Sequence, residues 1–172
     1  VDILSDFLQW AWARHANPLS WYIRPLFFLP LAYSSWHRSR LGLTATLIAL
    51  LTSFFWFPAP DIPDPRIQAV LEMEHRFLTH PSFFQTVMLT LAPLLLAGFC
   101  TALWRRSLGW GIVVFDAAAL GKILWTVAET GHNGAATYLP VGGGALAVTV
   151  LLFVVARRRG LPLSLRRARP AA

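Results

Sequence analysis

Five apolar runs, each bounded by a short polar break, set the pattern of this chain. They cover residues 19–36, 41–57, 82–104, 107–129 and 138–156. A helix of about 20 residues rising about 1.5 Å each crosses the hydrocarbon core of a bilayer. Each run is therefore read as a transmembrane helix. The first carries Arg24, Pro25 and Pro30. A proline lacks a backbone donor, so this helix is expected to kink. The second run is uninterrupted. The third opens after Thr79-His80-Pro81 and closes at Arg105-Arg106; the fifth holds Gly142-Gly143-Gly144 near its start.

Two further stretches are amphipathic and too short to span. In residues 2–13, Ile3, Leu4, Phe7, Leu8 and Ala11 share one helical face, with Trp10 and Trp12 suited to headgroup depth. In residues 65–79, Ile67, Val70, Leu71 and Leu78 make the apolar side. Asp64-Pro65 starts that helix, a capping carboxylate followed by proline at the first position. Both stretches are placed flat on the membrane surface. The expected fold is all-α: one membrane domain over residues 1–172, with five transmembrane helices, two outer surface helices and a basic tail at 157–172.

Composition strengthens this reading. Apolar residues make up 56% of the 172 and charged residues 13%, against roughly 25% charged in soluble domains. The single cysteine, Cys100, forms no internal disulfide and reads as a small core hydrophobe. Asp2 and Asp6 stand where a secretory signal would need basic residues, so no signal peptide is expected.

The net charge of +7 is unevenly placed. With the N-terminus outside, inner segments 37–40, 105–106 and 157–172 hold ten Arg and no acid. The outer segments hold three Arg and seven acids. The positive-inside rule then gives N-out and C-in. The arginine-rich tail is expected to touch anionic lipid on the cytoplasmic face. It is short and lacks interleaved aromatics, so nucleic acid is not an expected partner. Membrane lipids are, and a homo-oligomer is open.

Residues 7–78 contain Trp12-x-Arg14-His15-x-Asn17-Pro18-x-Ser20, then Arg24, Phe57-Pro58-x-Pro60, and the stretch Asp64 to Glu74. On these motifs the chain resembles an uncharacterised family of small bacterial and archaeal membrane proteins. That resemblance implies a small multi-spanning protein of a prokaryotic inner membrane and supplies no activity.

Ionisable residues inside spans are costly, by roughly 2.5–3.5 kcal/mol each on insertion scales, and mark candidate sites. Four are singled out as a ligand or ion pathway: Arg24, Asp116, Lys122 and Glu129. Arg24 lies roughly 8 Å below the outer end of its span and Lys122 about 10–12 Å. Arg24 is expected to share a site with Asp116 or Glu129, with Lys122 favouring one of the same acids. Glu72 with His75, and Glu129 with His132, have the i, i+3 spacing that suits a divalent metal. His15, Asn17, His75 and His132 are candidate catalytic residues at the outer surface. No nucleophile elbow, phosphatase signature or zincin helix accompanies them.

Three function classes remain open. The first is a membrane protein whose polar outer-leaflet pocket binds or passes a small anionic or protonatable ligand. The second is a membrane enzyme using the outer His/Glu cluster, with or without a metal. The third is a structural or accessory subunit whose charges fix helix packing.

Overall fold

The computed structural model describes residues 3–163 and 165. Among these the chain is all-helical, with no strand. Helix α1 covers Ile3–His15, α2 Pro18–Leu26, α3 Phe28–Trp36 and α4 Arg40–Thr52, which ends in a 3₁₀ turn at Ser53–Phe55. Then come α5, Pro65–Thr79; α6, Phe83–Trp104; and α7, Leu108–Thr130. A 3₁₀ turn at Gly131–Thr137 and a π turn at Tyr138–Gly143 lead into α8, Gly144–Arg158.

Local chemistry sets these boundaries. Asn17 caps α2, its Oδ1 accepting from the Leu19 amide at 2.9 Å, with Pro18 next. Asp64 does the same for α5 through the Arg66 amide at 2.7 Å, with Pro65 next. Ser82 and Gln85 close a reciprocal capping box on α6. Pro30 has no N–H for the Leu26 carbonyl, so the first apolar run breaks between α2 and α3. Phe27 keeps helical dihedrals there (φ −64°, ψ −18°), so the run kinks without reversing.

Two helical stretches, Phe83–Trp104 and Leu108–Arg158, are long and apolar enough to cross a membrane. The sequence led us to expect five. The first run is split at Phe27, and α4 has only 13 residues. The fourth and fifth runs join without a non-helical break, so they count as one stretch of 51 residues. That stretch is not straight, because α7 and α8 pack against each other across the turns at 131–143.

The basic turns gather at one end of the bundle. Arg38 Nε donates to the Trp104 carbonyl at 3.3 Å, and the Arg106 guanidinium sits 5.1 Å from the Trp36 ring centre. Arg38 and Arg106 both take left-handed backbone (φ 56° and 60°) just past α3 and α6. The two turns thereby clasp each other. Trp110 Nε1 donates to the Leu165 carbonyl, which brings the chain after α8 to the same end. The rest of the arginine tail, residues 166–172, lies outside the described residues, as does its expected lipid contact.

Two apolar cores result. One joins α3, α6, α7 and α8 through Leu31, Phe99, Leu103, Phe115 and Val148. The other lies under α5: Ile67, Val70, Leu71, Met73 and Phe77 pack with Trp21 and with Trp125 of α7. Leu78, expected on the apolar side of α5, is 60% exposed. Met73 and Phe77 are buried instead.

Candidate functional site

Where the two cores meet, four ionisable side chains from four helices converge. His15 ends α1, Arg24 is in α2, Glu74 is in α5 and Lys122 is in α7. Lys122 Nζ donates to Glu74 Oε1, and His15 Nε2 lies 3.5 Å from Glu74 Oε2. Among the described residues these are the ion pairs within 4.0 Å. Arg24 Nη2 is 3.2 Å from His15 Nδ1 and Nη1 is 3.3 Å from His15 Nε2. A neutral imidazole offers one acceptor nitrogen. With Nε2–H directed at Glu74, Nδ1 is that acceptor and takes the Arg24 hydrogen bond. The Nη1–Nε2 approach is then a contact between two donors.

The backbone holds this cluster in place. Pro18 separates α1 from α2, and the turn folds back so that the Trp21 indole donates to the His15 carbonyl at 2.9 Å. Ser20 Oγ donates to the same carbonyl at 3.3 Å. Asn17 Nδ2 reaches the Pro58 carbonyl at 2.9 Å, tying the turn to the proline loop. His15 is packed between aromatic rings of Trp12, Trp21 and Phe54.

The charges are unequal. Burial raises the cost of ionising Glu74, yet the Lys122 ammonium and the His15 hydrogen bond outweigh it and hold the carboxyl at about 2. For His15 burial dominates and pushes the imidazole below its ordinary value of 6.5, so it is neutral at pH 7. Lys122 and Glu74 cancel. Arg24 keeps its charge at any accessible pH, and among the described residues has no carboxylate within 4.0 Å. The cluster therefore carries one uncompensated positive charge.

A cavity of about 240 Å³ opens onto this cluster. Its wall includes His15, Arg24, Glu74 and Lys122, and otherwise apolar groups such as Pro25, Phe28 and Phe115. A guanidinium has five N–H donors, and His15 engages one. The others are free to meet an acceptor in the cavity. A guanidinium beside an imidazole has the chemistry to orient an anion and to pass a proton. The nearby hydroxyls of Ser20 and Thr126 are fully buried and donate to backbone carbonyls, so neither is a nucleophile.

The sequence-derived candidates divide. Arg24 and Lys122 do reach a common site, but the acid there is Glu74, not Asp116 or Glu129. Asp116 accepts from Thr149 Oγ1 at 2.7 Å, pairing α7 with α8. Glu129 is exposed and forms no ion pair among the described residues. His15 is 5% exposed, so it is a core residue and not a surface one. Asn17 serves as cap and tether. His75 and His132 are exposed, and Trp12 stands between His75 and His15. The metal expectation has no geometry behind it. Among the described residues, no three His, Cys, Asp or Glu side chains gather to hold an ion. Glu72 and His75 point to solvent, and Gly131 (φ 58°) ends α7 before His132.

Glu74 is the residue that sequence reasoning missed. It lies seven after Ile67, four after Val70 and three after Leu71, within the apolar stripe of α5. A carboxylate in that stripe demands a cation, and this was the available signal.

Comparison of the chain with protein families, curated proteins and solved structures returns no match.

Proposed function

We propose that this chain is a multi-pass protein of a prokaryotic inner membrane, N-out and C-in, whose cavity binds the anionic group of a small ligand. All five apolar runs cross the bilayer in this reading. Residues 18–36 reach about 28 Å as a kinked helix, and residues 40–57 roughly 27 Å. These lengths suit a core about 30 Å thick, with modest thinning at the second. The basic turns at one end, and the excess of acids over arginines in the segments assigned to the other, support the orientation.

One observation carries the ligand reading: Arg24 faces a cavity with a neutral imidazole as its partner and, among the described residues, no carboxylate within 4.0 Å. A purely structural Arg24 would be matched by an acid, because an unpaired buried charge is costly. Purified protein in an uncharged detergent tests this. Butyrate should raise the melting temperature saturably, beyond the effect of chloride at equal ionic strength. At 100 times its dissociation constant a ligand adds about 2.7 kcal/mol. Equal melting in butyrate and chloride, up to 100 mM-range concentrations on the order of weak-site affinities, would contradict the reading.

A further inference from the structure

We propose that the ligand is a single-chain amphiphile with one negative charge, its head on Arg24 and its alkyl chain in a second cleft between α5, α6 and α7. This rests on the anion-binding reading above and adds what the rest of the molecule must be.

The second cleft measures about 540 Å³ and adjoins the first. Phe28, Phe115, Ala118, Glu74 and Lys122 belong to the walls of both. Glu74 and Lys122 are the cleft's only charged wall residues, and they neutralise each other. Beyond them the wall is apolar, including Phe77, Leu89, Leu95 and Trp125. The cavity alone suits a headgroup and the cleft a hydrocarbon. The cleft falls in the range of about 300–1,000 Å³ usual for small-molecule sites, and the smaller cavity extends it. A polar end bearing one net positive charge, continued by an apolar end bearing none, is the complement of a monoanionic amphiphile. The guanidinium fork matches paired oxygens, as in a carboxylate or a phosphodiester. A dianion would leave one charge unmatched.

Gly121 supplies independent support. It lines the cleft in the middle of α7, where glycine costs roughly 1 kcal/mol against alanine. No close neighbour requires it: a Cβ built there meets nothing within 4 Å. Its φ is not left-handed either. Neither backbone nor packing accounts for this glycine, and keeping the cleft open does. Any side chain at 121 would project into free space and fill it.

The test uses the full chain in phosphatidylcholine nanodiscs and a palmitate bearing a terminal photoreactive diazirine. Labelling should saturate and map to residues 77–96 and 121–125. Palmitate or hexadecyl methyl phosphate should compete and hexadecanol should not; which of the two acids competes names a carboxylate or a phosphodiester head. Arg24→Gln should weaken labelling roughly 10- to 100-fold, as for a lost charge-assisted contact. Gly121→Phe should abolish the site-specific label yet keep stabilisation by butyrate in detergent, which also shows that it folds. Gly121→Leu replaces it if the Phe variant does not fold. Competition by hexadecanol equal to that by palmitate would overturn the head assignment. Butyrate stabilisation with unsaturable labelling, or labelling indifferent to both Gly121 substitutions, would overturn the chain assignment and leave the anion site standing. No response to butyrate or palmitate would remove both.

Discussion

Glu74 is bound on both sides by groups that need its charge. Its side chain is 25% exposed, and Lys122, at 39%, is the more accessible partner. Its folded value of about 2 lies below the ordinary 4.5. Unfolding raises its proton affinity, so it stabilises the fold fully above 4.5 and loses that contribution as pH falls toward 2. A depression of this size is worth roughly 3 kcal/mol at neutral pH. His15 adds an earlier loss. Its folded value is below 6.5, so the unfolded chain binds this proton more readily and stability declines as pH drops beneath 6.5. Melting temperature should therefore fall in two stages on acidification. His15→Asn should remove the upper stage and Glu74→Gln the lower; a melting temperature flat from pH 7 to 5 would contradict the first, and one flat from pH 4.5 to 2 the second. Lys122→Ala leaves Glu74 beside a neutral imidazole. It should cost roughly 2–3 kcal/mol, less than for a fully buried orphan, and the double change with Glu74→Gln should recover much of that loss.

The helices show what periodicity and capping can and cannot determine. Residues 65–79 were legible to the residue, because Asp64-Pro65 fixes the start and His80-Pro81 the end. The turn ending α6 was legible from Arg105-Arg106. The form of the first and fifth runs was not. Two prolines leave open where a helix breaks, and of the two it is Pro30, not Pro25, whose missing donor coincides with the break at Phe27. Within the Gly142–Gly144 run, close helix contact occurs at Gly144. A Cβ there would lie 2.5 Å from Pro25 Cγ. The kinked α2 rests against α8 at this point, and a pyrrolidine ring does not swing aside. Gly144→Ala should therefore destabilise by about 1–3 kcal/mol in thermal or denaturant unfolding, whereas Gly143→Ala, with open space around its Cβ, should not. The site itself was half legible. Depth matching put Arg24 level with Lys122, but depth does not tell which neighbouring helix supplies the acid. Glu74 is 48 residues from Lys122, on a helix that lies outside the spans, and only the fold brings it in.

At the scale of the molecule, polarity is split between two ends. Arg38, Trp104, Arg106, Trp110 and Leu165 tie the basic turns together at one end. Helices α1 and α5 and the His15–Glu74 cluster come from the segments that hold most of the acids. Between them α6 exposes Leu91 and Leu94, as a lipid-facing helix would. In a Cys100→Ser background, single cysteines at Ala59 and at Ser164 should label from opposite sides of the membrane, and labelling from one side would end the odd-numbered topology. The sharpest measurement compares butyrate binding in two variants, one that removes a self-neutralising pair of charges and one that removes a net charge. The Lys122–Glu74 pair is self-neutralising, so Glu74→Gln with Lys122→Gln leaves the net charge of the cavity unchanged. Arg24→Gln removes that charge. If Arg24 is the uncompensated cation, the double variant keeps butyrate stabilisation within a few-fold of wild type and Arg24→Gln loses it. Retained binding in Arg24→Gln, or loss in the double variant alone, would show that the anion is held elsewhere.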